Sequence, residues 1–408
     1  MSPSSTDKII QLPPSKSVSH RAFILASLNT GTSLIESYLQ AEDTRITREA
    51  LTAMGADIKE EGDGLRFGAP IGLRKKDKVF LGNSGSSARF LIPLASYINK
   101  PVYFYGESRL HDRPFAELFS ALEQTGGKFK AAGNTLPVTV SPAELRGGVL
   151  KFDELPSSQI VTAFMLAALW MENDLTLQLP ESTPSQPYIR MTYQLLQRLG
   201  IEVKYEDNTV YVPSGPPNLD WYFKVEKDFS AASYWVLYGL INGCKIILPG
   251  ITLPSLQGDE KIFEIAEMVG ANIMLFTDRL EMEGRIEKGL SLDCHNIPDL
   301  VPALSVLGLF APEPVKLMNI KHLEYKESNR VEAIQKNIAA LGGISSYNNN
   351  HLTIQPQKKY QPARISSFND HRIAMSFGVA GTRIKGITID NPDCVSKSYP
   401  AFWQDLNR

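Results

Sequence analysis

Cysteine is scarce in this chain. Cys244, Cys294 and Cys394 are the only three in 408 residues. None belongs to a CxxC pair, so neither a disulfide framework nor a metal-binding spacing is expected. Net charge is also nearly absent: 42 basic residues face 44 acidic ones, a balance of −2. That gives no electrostatic case for nucleic acid or an anionic membrane, so any anion specificity must come from local clusters. Long apolar runs are missing too. The longest, roughly Ile160–Met171, contains Thr162 and is too short to span a bilayer, which takes about 20 residues. The start, Met1–Asp7, is polar and does not read as a secretory signal. The chain also lacks a GxxxxGK[ST] loop, a dinucleotide fingerprint and a His/Cys ligand cluster. These absences point to a cytoplasmic protein that binds neither membrane nor nucleic acid, and they give no sign of a metal or an organic cofactor.

What the chain has is apolar material, at 43% of residues, and an internal repeat. Its length predicts two or three domains. An apolar helix, a glycine and a strand–turn–strand pattern recur around Gly55, Gly126, Gly200, Gly270 and Gly342, at spacings of 71, 74, 70 and 72. Glycine stops a helix because it accepts the left-handed conformation without a Cβ penalty. Turns are expected at Asp63-Gly64, Gly133-Asn134, Asp207-Asn208 and Asn348-Asn349. A second element is a helix apolar on nearly every face, hence internal. Its expected openers are Ser19, Ser87, Ser158, Ser230, Asp299 and Asp370, at spacings of 68, 71, 72, 69 and 71. The sixth unit breaks off near the C-terminus. The strand-like Lys8–Leu12 is the candidate to complete it, closing the chain on itself. Six units of about 70 residues group most simply as two domains of three.

The ionic residues gather beside the starts of the internal helices. Pro13-Pro14-Ser15-Lys16-Ser17 and Arg21 place cations where helix N–H groups favour an anion, or form a solvated helix start. Leu81–Arg89, LGNSGSSAR, reads as a phosphate-approaching loop or as an ordinary tight turn. Arg109-Leu110-His111-Asp112-Arg113 adds two arginines. Ser157-Ser158-Gln159 and Ser185-Gln186-Pro187-Tyr188 read as hydroxyl donors or as caps and turns. Asp299 is an N-cap or a proton acceptor. Lys326 and Arg330 stand at i and i+4, on one face if that segment is helical, with Glu327 adjacent. Asn369-Asp370-His371-Arg372 and Lys397 complete the set. Symmetric repeats would bring such starts to one face of each domain, and two opposed faces would make an anion-lined cleft.

PPSKSVSHRA, LGNSGSSARFL, RLHDRP, LPSSQ, PSQPYI, NIPD, YKESNR, NDHR and CVSKSYP resemble, in order and from about Lys8 to Leu406, the motifs of the EPSP synthases. The resemblance implies an α/β fold: a two-domain inside-out α/β barrel, each domain of three βαβαββ repeats. By that analogy residues 15–227 form the domain that binds shikimate 3-phosphate. Residues 1–14 with 228–408 form the one carrying the termini and the acid/base residues. The implied reaction moves the carboxyvinyl group of phosphoenolpyruvate to the 5-hydroxyl of shikimate 3-phosphate, in a monomer. Lys16, Ser17, Arg21, Ser157, Ser158, Gln159, Ser185, Tyr188, Asp299 and Lys326 are the implied shikimate 3-phosphate ligands. Lys16, Gly85, Arg113, Gln159, Arg330, Arg372 and Lys397 are those for phosphoenolpyruvate. Asp299, Glu327, Lys16, Lys326 and His371 are the implied catalytic set. Phe90, Asn329, Ser86 and Ser87 depart from residues common in the family. The rival within the same fold is a UDP-N-acetylglucosamine enolpyruvyl transferase, which carries a reactive cysteine where Gly106–Phe115 has none. A non-catalytic anion-binding module is the rival of another class; it gives Asp299 and Glu327 no role.

Overall fold

The computed structural model of the chain describes residues 7–408, so the reading of the first six residues lies outside the described part. The chain forms two compact units, Met1–Pro13 with Glu226–Arg408 (the terminal unit) and Pro14–Val225 (the middle unit).

In the middle unit, the helices Lys16–Leu28, Gly85–Leu94 and Ser158–Ala167 are buried along almost their whole lengths. Their all-round apolar character leaves no face that water would stabilise. The Gly85 helix packs against the Ser158 helix. The helices Glu42–Ala53, Ala116–Gln124 and Gln186–Arg198 are amphipathic and each buries one stripe. Gly55, Gly126 and Gly200 follow them at φ of 114°, 91° and 73°, the left-handed region that lets each chain turn back. Three four-stranded sheets complete the unit. Each joins one parallel pair to an antiparallel hairpin, as in Lys78–Phe80, Val102–Tyr105, Val138–Ser141 and Lys128–Ala131. Strand residues alternate buried and half-buried or exposed, so the helices form the inside and the sheets the wall.

The terminal unit repeats this plan. The internal helices are Phe229–Asn242, Val301–Phe310 and His371–Ala380, packed on one another. Gly270 and Gly342 stop the outer helices at φ of 122° and 75°. Two of its sheets have four strands and the third has two, Arg364–Ile365 and Thr388–Ile389. The sixth repeat is thus cut short, as its sequence predicts. Of Lys8–Leu12, only Lys8–Ile9 is a strand. It pairs parallel with Ile246–Pro249, so the N-terminal segment joins the C-terminal half, but it completes that four-stranded sheet and not the sixth repeat, whose own sheet keeps two strands. Correspondingly, Trp221–Lys224 pairs with Ser33–Glu36 and closes the middle unit.

The helix openers need correction in phase. The caps are Ser15, Ser84, Ser157, Asp228 and Asp370, whose side chains accept backbone N–H groups of the first turn. Ser19, Ser87, Ser158 and Ser230 lie inside the helices instead. The spacing located the elements, but a cap must have extended backbone, and these serines are already helical. Asp370 is the opener read correctly. Asp299 is not at the cap position: it sits in the turn before Val301, and Leu300 holds that position. Of the turns, Asp207 and Asn208 are both left-handed, as expected; in the last hairpin the pair is Asn349-Asn350, one residue later than read.

Candidate active site

Each unit gathers a polar cluster at the starts of its internal helices. In the middle unit, Lys16 is the first residue of its helix, 8% exposed, and its Nζ donates to Asp43 Oδ2 at 3.1 Å. Arg21, one turn on, is 2% exposed and meets neutral acceptors. Nε donates to Thr192 Oγ1 at 2.8 Å and Nη1 to the Ser17 carbonyl at 2.9 Å. Nη2 donates to the Tyr188 carbonyl at 3.2 Å and to Thr162 Oγ1 at 3.3 Å. Burial lowers its pKa to about 10. The Phe90 ring stacks beneath it, 5.1 Å from ring centroid to Cζ. A guanidinium desolvated among neutral oxygens is poised for an anion.

The Gly85 loop meets the other predicted ligands directly. A Cβ at Gly85 would run into the Arg113 guanidinium, so glycine is what lets that cation lie against the loop. Gln159 bridges two helix starts: its Nε2 donates to Ser86 Oγ and its Oε1 accepts from Arg89 Nη1, both at 2.9 Å. Ser157 caps that helix by accepting from the Gln159 N–H at 3.3 Å. Ser185 adopts a left-handed conformation, φ 60° and ψ 38°, which turns the chain into the helix carrying Tyr188. Asp43 and Arg89 escaped the sequence reading, because nothing in AEDTR or SSAR distinguishes a partner of a site cation from a surface charge.

In the terminal unit, Arg330 is the hub. It is 1% exposed and its three donor edges meet three carboxylates. Nη1 binds Asp299 Oδ1 at 2.8 Å, Nη2 binds Glu327 Oε2 at 2.7 Å, and Nε binds Asp370 Oδ2 at 2.9 Å. Arg372 Nη2 takes the second oxygen of Asp299 at 2.7 Å. Burial pushes the Asp299 carboxyl up, but Arg372, Arg330 and Lys326 together overcome it and hold the group ionised, well below the ordinary carboxylate range. Lys397 Nζ donates to the Asn369 carbonyl at 3.1 Å. His371 is fully buried, with Nδ1 4.0 Å from Asp370 Oδ1. Lys326 and Arg330 do not share a helix face. The helix starts at Arg330 with Asn329 as cap, and Lys326 lies before it in extended conformation. The residues came together through a turn rather than through helical periodicity.

Three groups stand behind this cluster that the sequence reading missed, two buried and His322 half-buried. Asp259, 3% exposed, accepts from Ser230 Oγ, and burial together with Asp299 raises its pKa to about 6. Burial, Lys326 and His295 lower His322 to about 3. Burial pushes the Tyr234 phenol above its usual range, against the pull of Arg372 and Arg330. Periodicity alone reads all three as core or loop.

The chain matches the family model of EPSP synthase (3-phosphoshikimate 1-carboxyvinyltransferase) over residues 2–406. The chain belongs to the EPSP synthase family. Among its relatives, the 3-phosphoshikimate 1-carboxyvinyltransferase of Clostridium novyi (strain NT) is 31% identical, the match covering 100% of this chain and 96% of that one. The enzyme of the same name from Syntrophobacter fumaroxidans is 33% identical, covering 98% of this chain and 96% of its own. In fold, the chain is similar to the EPSP synthase from Acinetobacter baumannii, with a TM-score of 0.80 at 24% identity over 99% of this chain and 96% of that one. It is also similar to the enolpyruvyl transferase NikO from Streptomyces tendae, with a TM-score of 0.79 at 16% identity over 100% and 95%. The α/β architecture of repeats is therefore that of the family. The buried thiols of Cys294 and Cys394, both pushed up to about 12 by burial, are unsuited to nucleophilic roles.

Proposed function

We propose that this EPSP synthase family member transfers the carboxyvinyl group of phosphoenolpyruvate to the 5-hydroxyl of shikimate 3-phosphate, releasing phosphate. The observation that carries the reading is the cluster around Arg330, where carboxylates and cations are interleaved at bonding distance. Addition to an enolpyruvyl double bond needs a base for the attacking hydroxyl and an acid for the methylene carbon. It also needs fixed positive charge where negative charge builds up and leaves. Asp299 and Glu327 are the proton-handling pair, with Lys326 beside them and His371 behind. Arg330, Arg372, Lys397, Lys16, Gly85, Arg113 and Gln159 are the residues that serve phosphoenolpyruvate. Ser17, Arg21, Ser157, Ser158, Ser185 and Tyr188 hold shikimate 3-phosphate, with Lys16, Gln159, Asp299 and Lys326.

The depressed proton affinity of Asp299 has a mechanistic consequence. Without substrate, its two arginines make it a poor base. An anionic substrate that pairs with Arg330 and Arg372 competes for those donors, and the proton affinity of Asp299 then rises. The base is thereby activated by the substrate it serves. The deciding assay is phosphate release from phosphoenolpyruvate with shikimate 3-phosphate, run beside UDP-N-acetylglucosamine. Turnover with the first acceptor alone is expected; turnover with the second alone would overturn the reading.

A further inference from the structure

A buried polar chain runs through the middle unit outside the residues assigned above. His20 Nδ1 lies 2.7 Å from Thr47 Oγ1, Thr47 Oγ1 lies 2.7 Å from Ser87 Oγ, and Ser87 Oγ lies 2.7 Å from Ser84 Oγ. All four residues are at most 1% exposed. Their positions matter more than their number. His20 belongs to the helix that begins at Lys16, and Ser84 and Ser87 flank the start of the helix that begins at Gly85. Thr47 is on the helix Glu42–Ala53, one turn after Asp43, which holds Lys16 Nζ. The same helix puts Ile46 Cδ1 where a Cβ on Gly82 would be, just before the loop.

We propose that the helix Glu42–Ala53 is a positioning element that locks the Lys16 start and the Gly85 loop in register, through Asp43 at one point and the His20–Thr47–Ser87–Ser84 chain at another. The inference rests on the reading of Lys16 and Gly85 as phosphoenolpyruvate ligands. His20, Thr47, Ser84 and Ser87 touch no substrate in this scheme; they fix the atoms that do.

The bond from His20 to Thr47 can be assigned a direction. Burial, then Lys16 and Arg21, keep the imidazole neutral. Its Nε2 has no hydrogen-bond partner. A proton there would bury an unpaired donor beside two cations, so the proton belongs on Nδ1. Nδ1–H then donates to Thr47 Oγ1, whose own proton has two acceptors in reach, Ser87 Oγ at 2.7 Å and the Asp43 carbonyl at 3.3 Å; Ser84 Oγ, 2.7 Å from Ser87 Oγ, also accepts from the Ser87 N–H at 3.3 Å. The hydroxyls polarise one another along the chain, which stiffens it.

Thr47→Val keeps the shape and removes the central hydroxyl, whereas Thr47→Ser keeps the hydroxyl. Removing the central hydroxyl interrupts the chain on both sides, so Thr47→Val is expected to raise the KM for phosphoenolpyruvate about tenfold, equivalent to about 1.4 kcal/mol. kcat should change far less, and Thr47→Ser should stay close to wild type. A lower melting temperature with KM unchanged would overturn the proposal and leave the chain a packing feature. If Thr47→Val does not fold, Ser87→Ala interrupts the chain nearer the loop and must show the same KM shift. Wild type inactive with either acceptor would sink the functional reading instead. Calorimetric binding of phosphoenolpyruvate to wild type and Thr47→Val would then test the positioning without turnover, equal affinities refuting it. Nitrogen NMR of His20 provides a separate check: the Nδ1–H tautomer in wild type, perturbed in Thr47→Val, is the expected signature.

Discussion

Asp299→Asn separates proton transfer from charge balance. In the folded unit Asp299 accepts two charge-assisted hydrogen bonds, 2.8 Å from Arg330 and 2.7 Å from Arg372. Such bonds contribute roughly 1.5–3 kcal/mol each. Asparagine retains one acceptor oxygen, and Arg330 keeps Glu327 and Asp370. Asp299 is partly open, with 15% of its side chain exposed, so the loss falls below the 3–5 kcal/mol typical of breaking a buried pair. A stability loss of about 2 kcal/mol is therefore expected, small enough for the protein to fold. Turnover should fall by roughly 10²–10⁴, the usual contribution of a general acid or base. KM for phosphoenolpyruvate should stay level or drop, because the substitution makes the surroundings of Arg330 and Arg372 more positive. Steady-state phosphate release at saturating and limiting substrate, with a thermal melt alongside, measures all three. Near-normal kcat with a raised KM would refute the reasoning and make Asp299 a holder of arginines.

Other substitutions probe the neighbouring features. Gly85→Ala must push Arg113 off the loop; the clash is with a side-chain end, so melting should barely change while KM for phosphoenolpyruvate rises about tenfold or more. An unchanged KM would show that Arg113 does not act there. Phe90→Leu keeps most of the volume but removes the ring under Arg21. A loss of about 1–2 kcal/mol in denaturant unfolding and weaker use of shikimate 3-phosphate are expected, and normal kinetics would deny Arg21 its ligand role. Asp259 binds its proton more tightly folded, at about 6, than unfolded, at about 3.9. Its contribution is therefore greatest below about pH 4 and is lost as pH rises through 6, roughly 2–3 kcal/mol in all. Unfolding titrations of Asp259→Asn should lack that decline between pH 4 and 7; a slope equal to wild type would contradict it.

How much was legible follows from what each signal is made of. Near-equal spacing of Gly55 through Gly342 located the repeats, because a left-handed helix stop is a local backbone requirement that glycine meets by itself. The all-round apolar helices declared themselves internal for a similar reason: composition alone leaves them no solvent face. That the N-terminal strand joins the C-terminal half was foreseeable, but not which sheet it completes: it fills out the sheet of Ile246–Pro249, not the truncated sixth repeat. Phase was less legible. Ser19 and Ser87 looked like caps, yet Ser15 and Ser84 perform that role, since which serine is extended depends on how the chain enters each helix.

The site divides along the same line. Lys16, Gly85, Arg113, Asp299, Glu327, Arg330 and Arg372 were named from sequence, as ionic or small residues beside helix starts and through family likeness. Which of them pair with which was not, nor was Asp43. The sequence by itself determined the repeat, the internal helices and which charges stand at their ends. Only the tertiary structure decided that Arg330 divides its three edges among Asp299, Glu327 and Asp370, that Asp43 anchors Lys16, and that Thr47 links His20 to Ser87. Those pairings join segments up to 73 residues apart, as Arg372 and Asp299 show, and no local propensity acts over that distance. They form when packing of the internal helices brings the helix starts together and desolvation leaves each charge no partner but another.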